Sequence, residues 1–203
     1  MNESDNEPSY CSELEAVSDA ARYYNYEKAH SDNVRMLAVR IYDQLKELHG
    51  FGGKERFILE SAAILHDIGW QIAQRKHHKS SMKLIIADES IPFDSETRIA
   101  VALVARYHRK SLPKEGHVYY CELNQRQRSR VDKLSAILRI ADGLDRTHNG
   151  YVSDISCIIT ENLVTFLCDS ASDISPELEA AKQKSDLFIR AFGKNVRFDK
   201  TYK

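Results

Sequence analysis

The chain has 203 residues, of which 42% are apolar and 29% charged. That is enough apolar material for one core with or without a small appendage, and it excludes a disordered chain or a coiled-coil rod. The net charge of −1 hides an asymmetry, because residues 1–19 carry six acids and no Lys or Arg, while residues 106–148 carry ten Lys or Arg against five acids. Such a basic segment suits an anionic ligand or a solvated helix face.

Residues 1–9 are polar and read as a flexible N-terminus. Leu14, Val17 and Ala21 then suggest a short helix. A stronger helical pattern runs from His30 through Val34, Leu37, Ala38, Ile41 and Leu45, and Gly50, Gly52 and Gly53 end it. The next pattern holds Phe57, Ile58, Ala62, Leu65 and Ile68 and stops near Gly69. A helix over about 77–88 is broken by Pro92, and Asp94 or Ser95 can cap the one that follows, marked by Ile99, Ala100, Leu103, Val104 and Tyr107. After a loop with Pro113 and Gly116, residues 124–146 are apolar on more than one face, as in a buried helix.

The texture changes at Asn149-Gly150. Residues 151–159 and 163–168 read as a β-hairpin, Pro176 opens a helix to about Phe192, and 196–198 read as a third strand. The expectation is a mainly α protein: a helical domain over 10–150 and a small α+β (ββαβ) tail over 151–203, its sheet antiparallel and its residues free of metal ligands. Cys11, Cys121, Cys157 and Cys168 are scattered without a CxxC pair, which argues against a disulfide framework or a cysteine zinc site. No apolar run is long enough to span a bilayer, and no signal peptide is visible, so the expected setting is the cytoplasm, away from membranes.

Four helical patterns place a metal-capable side chain on an apolar row with a spacing of four, which shares one helix face. His30 lines up with Val34 and Ala38, His66 with Ile58 and Ala62, His108 with Ala100 and Val104, and Asp142 with Leu134 and Leu138. A single core histidine is ordinary. A carboxylate on an apolar row needs a cation, a metal or hydrogen bonds. Four such residues on four helices suggest one polar site inside a bundle. Asp67 follows His66 and can reach an ion beside the helix axis. Imidazole plus carboxylate suits a divalent transition metal (Mn, Zn, Fe, Co or Ni), and Mg is admitted. HExxH, GxxxxGK[ST], GxGxxG and GxSxG are absent, which argues against metalloprotease, P-loop, Rossmann and nucleophile-elbow chemistry.

The pattern His30 … His66-Asp67 … Asp142, with the segment LESAAILHDIGW, resembles the HD-domain superfamily of metal-dependent phosphohydrolases. HSDNVRMLAVRIYDQLKELHG, LVARYHRKSLPKEGH and LRIADGLDRTHNG resemble the C-terminal HD region of the exopolyphosphatase and guanosine pentaphosphate phosphohydrolase (Ppx/GppA) family, over roughly residues 10–200. The resemblance implies an HD-type helical bundle with His30, His66, Asp67 and Asp142 as metal ligands. It places His77 or His78 and His108 where related multi-metal enzymes have further ligands. Family members usually read HxHS where this chain has His78-Lys79-Ser80-Ser81, and a hydroxyl is a poor ligand beside imidazole, so one tightly held metal is expected. RYHRKSLPKEGH stands where HD-GYP phosphodiesterases carry their GYP segment, which argues against that activity. In the full-length exopolyphosphatases, polyphosphate cleavage belongs to an N-terminal actin-like domain, which these 203 residues do not contain.

The expected function is therefore a metal-dependent phosphohydrolase acting on a phosphate ester, nucleotide or polyphosphate-like anion. Asp67 would hold the metal and orient water, with Arg109 and Lys110 assisting catalysis. Arg109, Lys110, Arg139 and Arg146 would bind phosphate. The alternative is a non-catalytic polyphosphate- or nucleotide-binding regulatory module. The expected partner is a phosphate-containing small molecule or polyphosphate rather than a specific nucleic acid, and a homodimer is compatible with the sequence.

Overall fold

A computed structural model describes residues 10–201; the segment expected to be flexible, 1–9, lies outside the described residues. The helical part contains α1 (Cys11–Tyr23), α2 (Lys28–Gln44), α3 (Lys46–His49), α4 (Gly53–Leu65), α5 (His77–Ala87), α6 (Ser95–Tyr107) and α7 (Gln125–Gly143). The tail contains β1 (Asp154–Ile159), β2 (Leu163–Asp169), α8 (Ser175–Gln183), α9 (Asp186–Phe192) and β3 (Asn195–Thr201). None of the described helices is long and apolar enough to cross a membrane.

The apolar rows become the core. α2, α4, α6 and α7 pack against one another, α5 lies on α6, and α1 on α4. Leu37, Ile41, Ile58, Leu65, Val101, Val104, Leu134 and Leu138 are fully buried between them. α7 is buried on several faces because α2, α4, α6, α8 and α9 all pack on it.

Local chemistry sets the helix ends. Gly50 takes a left-handed φ of 66° and stops α3. The Asn124 side chain accepts from the Gln127 amide and the Gln127 side chain accepts from the Asn124 amide, a reciprocal box at the start of α7. Asp94 Oδ1 accepts from the Thr97 amide at 2.7 Å, so Asp94, not Ser95, caps α6. That bond holds the Asp94 carboxyl below its ordinary value. The cap's contribution is thus present above the unfolded carboxylate pKa and lost as pH falls through the folded one. Asp94→Ala is expected to cost about 1 kcal/mol in denaturant unfolding at pH 7, with less penalty at pH 3.

The tail differs from the sequence expectation in two ways. β1 and β2 form the expected antiparallel hairpin, with Ile155 opposite Cys168 and Cys157 opposite Phe166. β3 runs parallel to β2, so the sheet is mixed, in the order β1-β2-β3. The reason is the connection: a helical crossover returns the chain to the same end of the sheet, which a tight turn cannot do. The expected single helix over 176–192 is two helices. The Lys184 amide donates to both the Ala180 and Ala181 carbonyls, and the chain tightens and turns there.

The tail is not a separate lobe. α8 and α9 pack on α7 and β1 on α2. Gln44 braces β1 by donating to the Ile155 carbonyl and accepting from the Cys157 amide. Val164, Phe166, Leu187 and Phe188 belong to the same continuous apolar core as the bundle.

Candidate metal centre

Each histidine of interest sits near a helix end. His30 is in the first turn of α2, His66 follows the last residue of α4, His77 opens α5, and His108 follows the last residue of α6. Asp142 lies in the last turn of α7. The apolar rows carry His30, His66, His108 and Asp142 inward, and all five residues are less than 9% exposed.

Every one of these imidazoles has Nδ1 on an acceptor. His66 Nδ1 donates to the Ala63 carbonyl at 2.8 Å, His77 Nδ1 to the Gln74 carbonyl at 2.7 Å, and His108 Nδ1 to the Ala105 carbonyl at 2.6 Å. His30 Nδ1 lies 2.7 Å from Asp145 Oδ2 and donates to it. Carbonyls and carboxylates cannot donate, so the four Nδ1 atoms carry the protons and the Nε2 lone pairs face inward. The other oxygen of Asp145 accepts from the Gly150 amide at 2.9 Å and is fixed in turn. Second partners that orient imidazoles in this way are a mark of metal sites.

The inward atoms fall into two groups. In the first, His30 Nε2 and His66 Nε2 are 3.2 Å apart, with Asp142 Oδ1 3.6 Å from one and 4.0 Å from the other. In the second, His77 Nε2 and His108 Nε2 are 3.4 Å apart, with Asp67 Oδ1 3.1 and 3.5 Å away. Asp67 spans the groups, since its Oδ2 lies 3.6 Å from His66 Nε2. These are the two sets of donors among the described residues with ligand atoms close enough to share an ion.

Electrostatics agrees with a cation at each group. Asp67 Oδ1 is buried with no hydrogen-bond partner. Lone pairs packed against lone pairs repel unless a positive charge lies between them. Burial opposes charge on Asp67, but the surrounding imidazoles outweigh it and hold the carboxyl below its ordinary range. Burial drives His108 well below the usual histidine value and so keeps it neutral. His30 goes the other way: burial opposes charge there, but the bonds to Asp142 and Asp145 push its pKa up to about 10, so at neutral pH its Nε2 carries a proton that an ion in the first group would displace.

A cavity of about 280 Å³ opens onto both groups. Arg109, Lys110 and Arg146 line it, and Arg109 Nη1 donates at 3.0 Å to His77 Nε2, the lone pair that an ion in the second group would take over. Arg139 is elsewhere. It is buried, and its guanidinium donates to the carbonyls of Lys184 and Tyr107 and to Asp186 Oδ1. It ties the α8–α9 junction to the end of α6 and has no place in the cavity wall. His78 belongs to neither donor group. Its Nδ1 has no partner, and burial pushes its pKa down to about 4. Ser80 packs against Gly69, its Cβ 2.6 Å from where a Cβ on that glycine would lie. The second donor group is built from His77 and His108 and makes no use of the Ser80 position.

Several residues near the site are absent from the sequence reading. Asp145, three positions after Asp142, was within reach of a spacing argument. His148 stacks on His30 with ring centroids 3.8 Å apart and reaches Glu27 Oε2 at 2.8 Å. Trp70 lies over His77 at 4.7 Å. Lys184, from the tail, pairs with Asp142 Oδ2. Lys110 and His148, both at the cavity, hold positive φ values of 61° and 58°. Strained backbone of this kind concentrates at binding sites.

Among curated proteins, no sequence matches the chain. The family pattern described as Ppx/GppA phosphatase, domain III, matches residues 14–172, a span that holds both donor groups and ends before α8. Since that match covers most of the described helices and the β-hairpin, the chain belongs to the Ppx/GppA phosphatase domain III family.

Proposed function

We propose that this chain is a metal-dependent phosphohydrolase of the HD type, acting on a phosphate ester, nucleotide or polyphosphate-like anion. The observation that carries the reading is the pair of buried donor groups sharing Asp67 beside a cavity lined by cations. His30, His66 and Asp142 would hold one divalent ion, and His77 and His108 a second, with Asp67 serving both. This reading departs from the expectation of a single metal, and what supports it is the presence of two groups of donors rather than one. Imidazole with carboxylate favours Mn²⁺, Fe²⁺, Co²⁺, Ni²⁺ or Zn²⁺ over Ca²⁺.

When bound, such ions supply Lewis acidity toward a phosphoryl oxygen and lower the pKa of water. The chain's own residues do the rest. Asp145 and the Ala63, Gln74 and Ala105 carbonyls fix the imidazole rings, so little reorganisation is needed. Arg109, Lys110 and Arg146 neutralise the charge of an entering anion and orient it toward the donor groups. Trp70 covers His77 and shields that side from water.

Metal analysis and a phosphate panel test the reading. Purified protein supplied with Mn²⁺ should hold two ions per chain and hydrolyse at least one phosphate ester, and chelation should abolish the activity. Protein that takes up no metal and hydrolyses nothing, yet binds polyphosphate tightly, would overturn it in favour of a binding module.

A further inference from the structure

We infer that Lys184, at the α8–α9 junction outside the family-matched residues, is an anion-binding residue of the site and contacts a phosphate group of the substrate. The inference deepens the phosphohydrolase reading and rests on it.

Three observations converge on the placement of this ammonium group. First, α8 approaches α7 unusually closely at Gly143. A Cβ there would lie 2.7 Å from Ala181 Cα and 2.8 Å from Ala181 N, so only glycine allows the approach. Gly143 adjoins Asp142, and the end of α8 is thereby brought to the metal-facing carboxylate. Second, the buried Arg139 holds the junction from beneath, with Nε on the Lys184 carbonyl at 3.1 Å and Nη2 on Asp186 Oδ1 at 2.8 Å. Third, Lys184 Nζ pairs with Asp142 Oδ2, while Asp142 Oδ1 faces His30 and His66. The two oxygens of one carboxylate are thus divided between a lysine and a donor group.

An ammonium group has three donors, and among the described residues Asp142 is the one hydrogen-bond partner of Lys184 Nζ. Lys184 lines the cavity with Arg109, Lys110 and Arg146, and its side chain is 23% exposed. It therefore offers free donors at the point where the cation-lined wall meets the first donor group. An anion drawn to that group meets Lys184 on one side and the Arg109–Lys110 turn on the other. The lysine of α8 does not share this placement: Lys182 opens onto a different groove, between α8 and β3.

The test is binding of inorganic phosphate to the Mn²⁺-loaded protein by calorimetry, with metal content measured on the same samples. Lys184→Met keeps most of the aliphatic stem and Lys184→Gln keeps a donor, so at least one variant should fold with native circular dichroism. Both are expected to weaken phosphate binding roughly tenfold or more, the size of one charged hydrogen bond, and to keep two ions per chain. Lys182→Ala should bind phosphate as the parent does. Parental affinity in a folded Lys184 variant would overturn the inference. Loss of metal from those variants would also overturn it, because Lys184 would then act only by holding Asp142. If the parent protein binds two ions but no phosphate, Lys184 has no anion to contact and the inference falls while the metal reading stands; if the parent binds neither, both fall.

Discussion

Asp67→Ala is expected to remove both ions in one step. Asp67 contributes to each donor group: Oδ1 faces His77 and His108, and Oδ2 faces His66. Each other donor serves a single group. His108→Ala should therefore leave one ion per chain, and so should His30→Ala, while Asp67→Ala leaves none. Stability provides a second readout. An ion that binds only the folded state at a hundred times its Kd stabilises by about 2.7 kcal/mol. The parent protein should rise in Tm when Mn²⁺ is added, His108→Ala should rise less, and Asp67→Ala should not respond. Without Asp67 the cluster keeps only Asp142, already paired with Lys184, to balance a cation, so tight uptake at either group is not expected. One tightly held ion in Asp67→Ala would show that the two groups are independent and that Asp67 does not bridge them.

The sequence carries the donors better than it carries their neighbours. His30, His66, His108 and Asp142 stand on rows of apolar residues, and a helix buries such a row whatever it packs against. Asp67 was legible because it adjoins His66. The number of donor groups is not legible in the same way, because Ser80 stands where the resemblance has a histidine and the second group forms from His77 and His108 instead. His77 faces its partners because the Gln74 carbonyl, three residues back, turns its ring, and no residue type at Gln74 encodes that. Arg139 shows the converse limit. On α7 it reads as one more cation of a basic segment, yet the α8–α9 junction covers it and takes up its donors. The sequence separation from Arg139 to Asp186 hides that contact, and the pairing of Asp142 with Lys184 is hidden in the same way. The direction of β3 was equally silent. Asn195, Val196, Arg197 and Phe198 alternate between exposed and half-buried as an edge strand does in either direction, and the helical crossover before them decides the matter.

The second donor group depends on a close backbone approach, and Gly69 is where that dependence is sharpest. Gly69 lies two residues after Asp67, and its amide donates to Ser81 Oγ at 2.9 Å. A Cβ at Gly69 would lie 2.4 Å from the Ser81 amide nitrogen, 2.6 Å from Ser80 Cβ and 2.7 Å from the His77 carbonyl oxygen. Two of those atoms are backbone, so no flexible side chain can swing aside. Relief requires the start of α5, which carries His77, to move away from the turn that carries Asp67. His77 Nε2 and Asp67 Oδ1 stand 3.1 Å apart, and a shift of even half an ångström is large on the scale of metal–ligand bonds of about 2.0–2.2 Å. Gly69→Ala is therefore expected to cost about 1–3 kcal/mol, as overpacking in a buried site does, and to lower Tm by several degrees. Its metal content should fall from two ions to one, because His30, His66 and Asp142 lie on α2, α7 and the end of α4, away from the strained contact. Gly116→Ala is the control. Nothing lies within 4 Å of a Cβ there, so both stability and metal content should be unchanged. A Gly69→Ala protein that keeps two ions and the parental Tm would show that α5 can yield without disturbing His77.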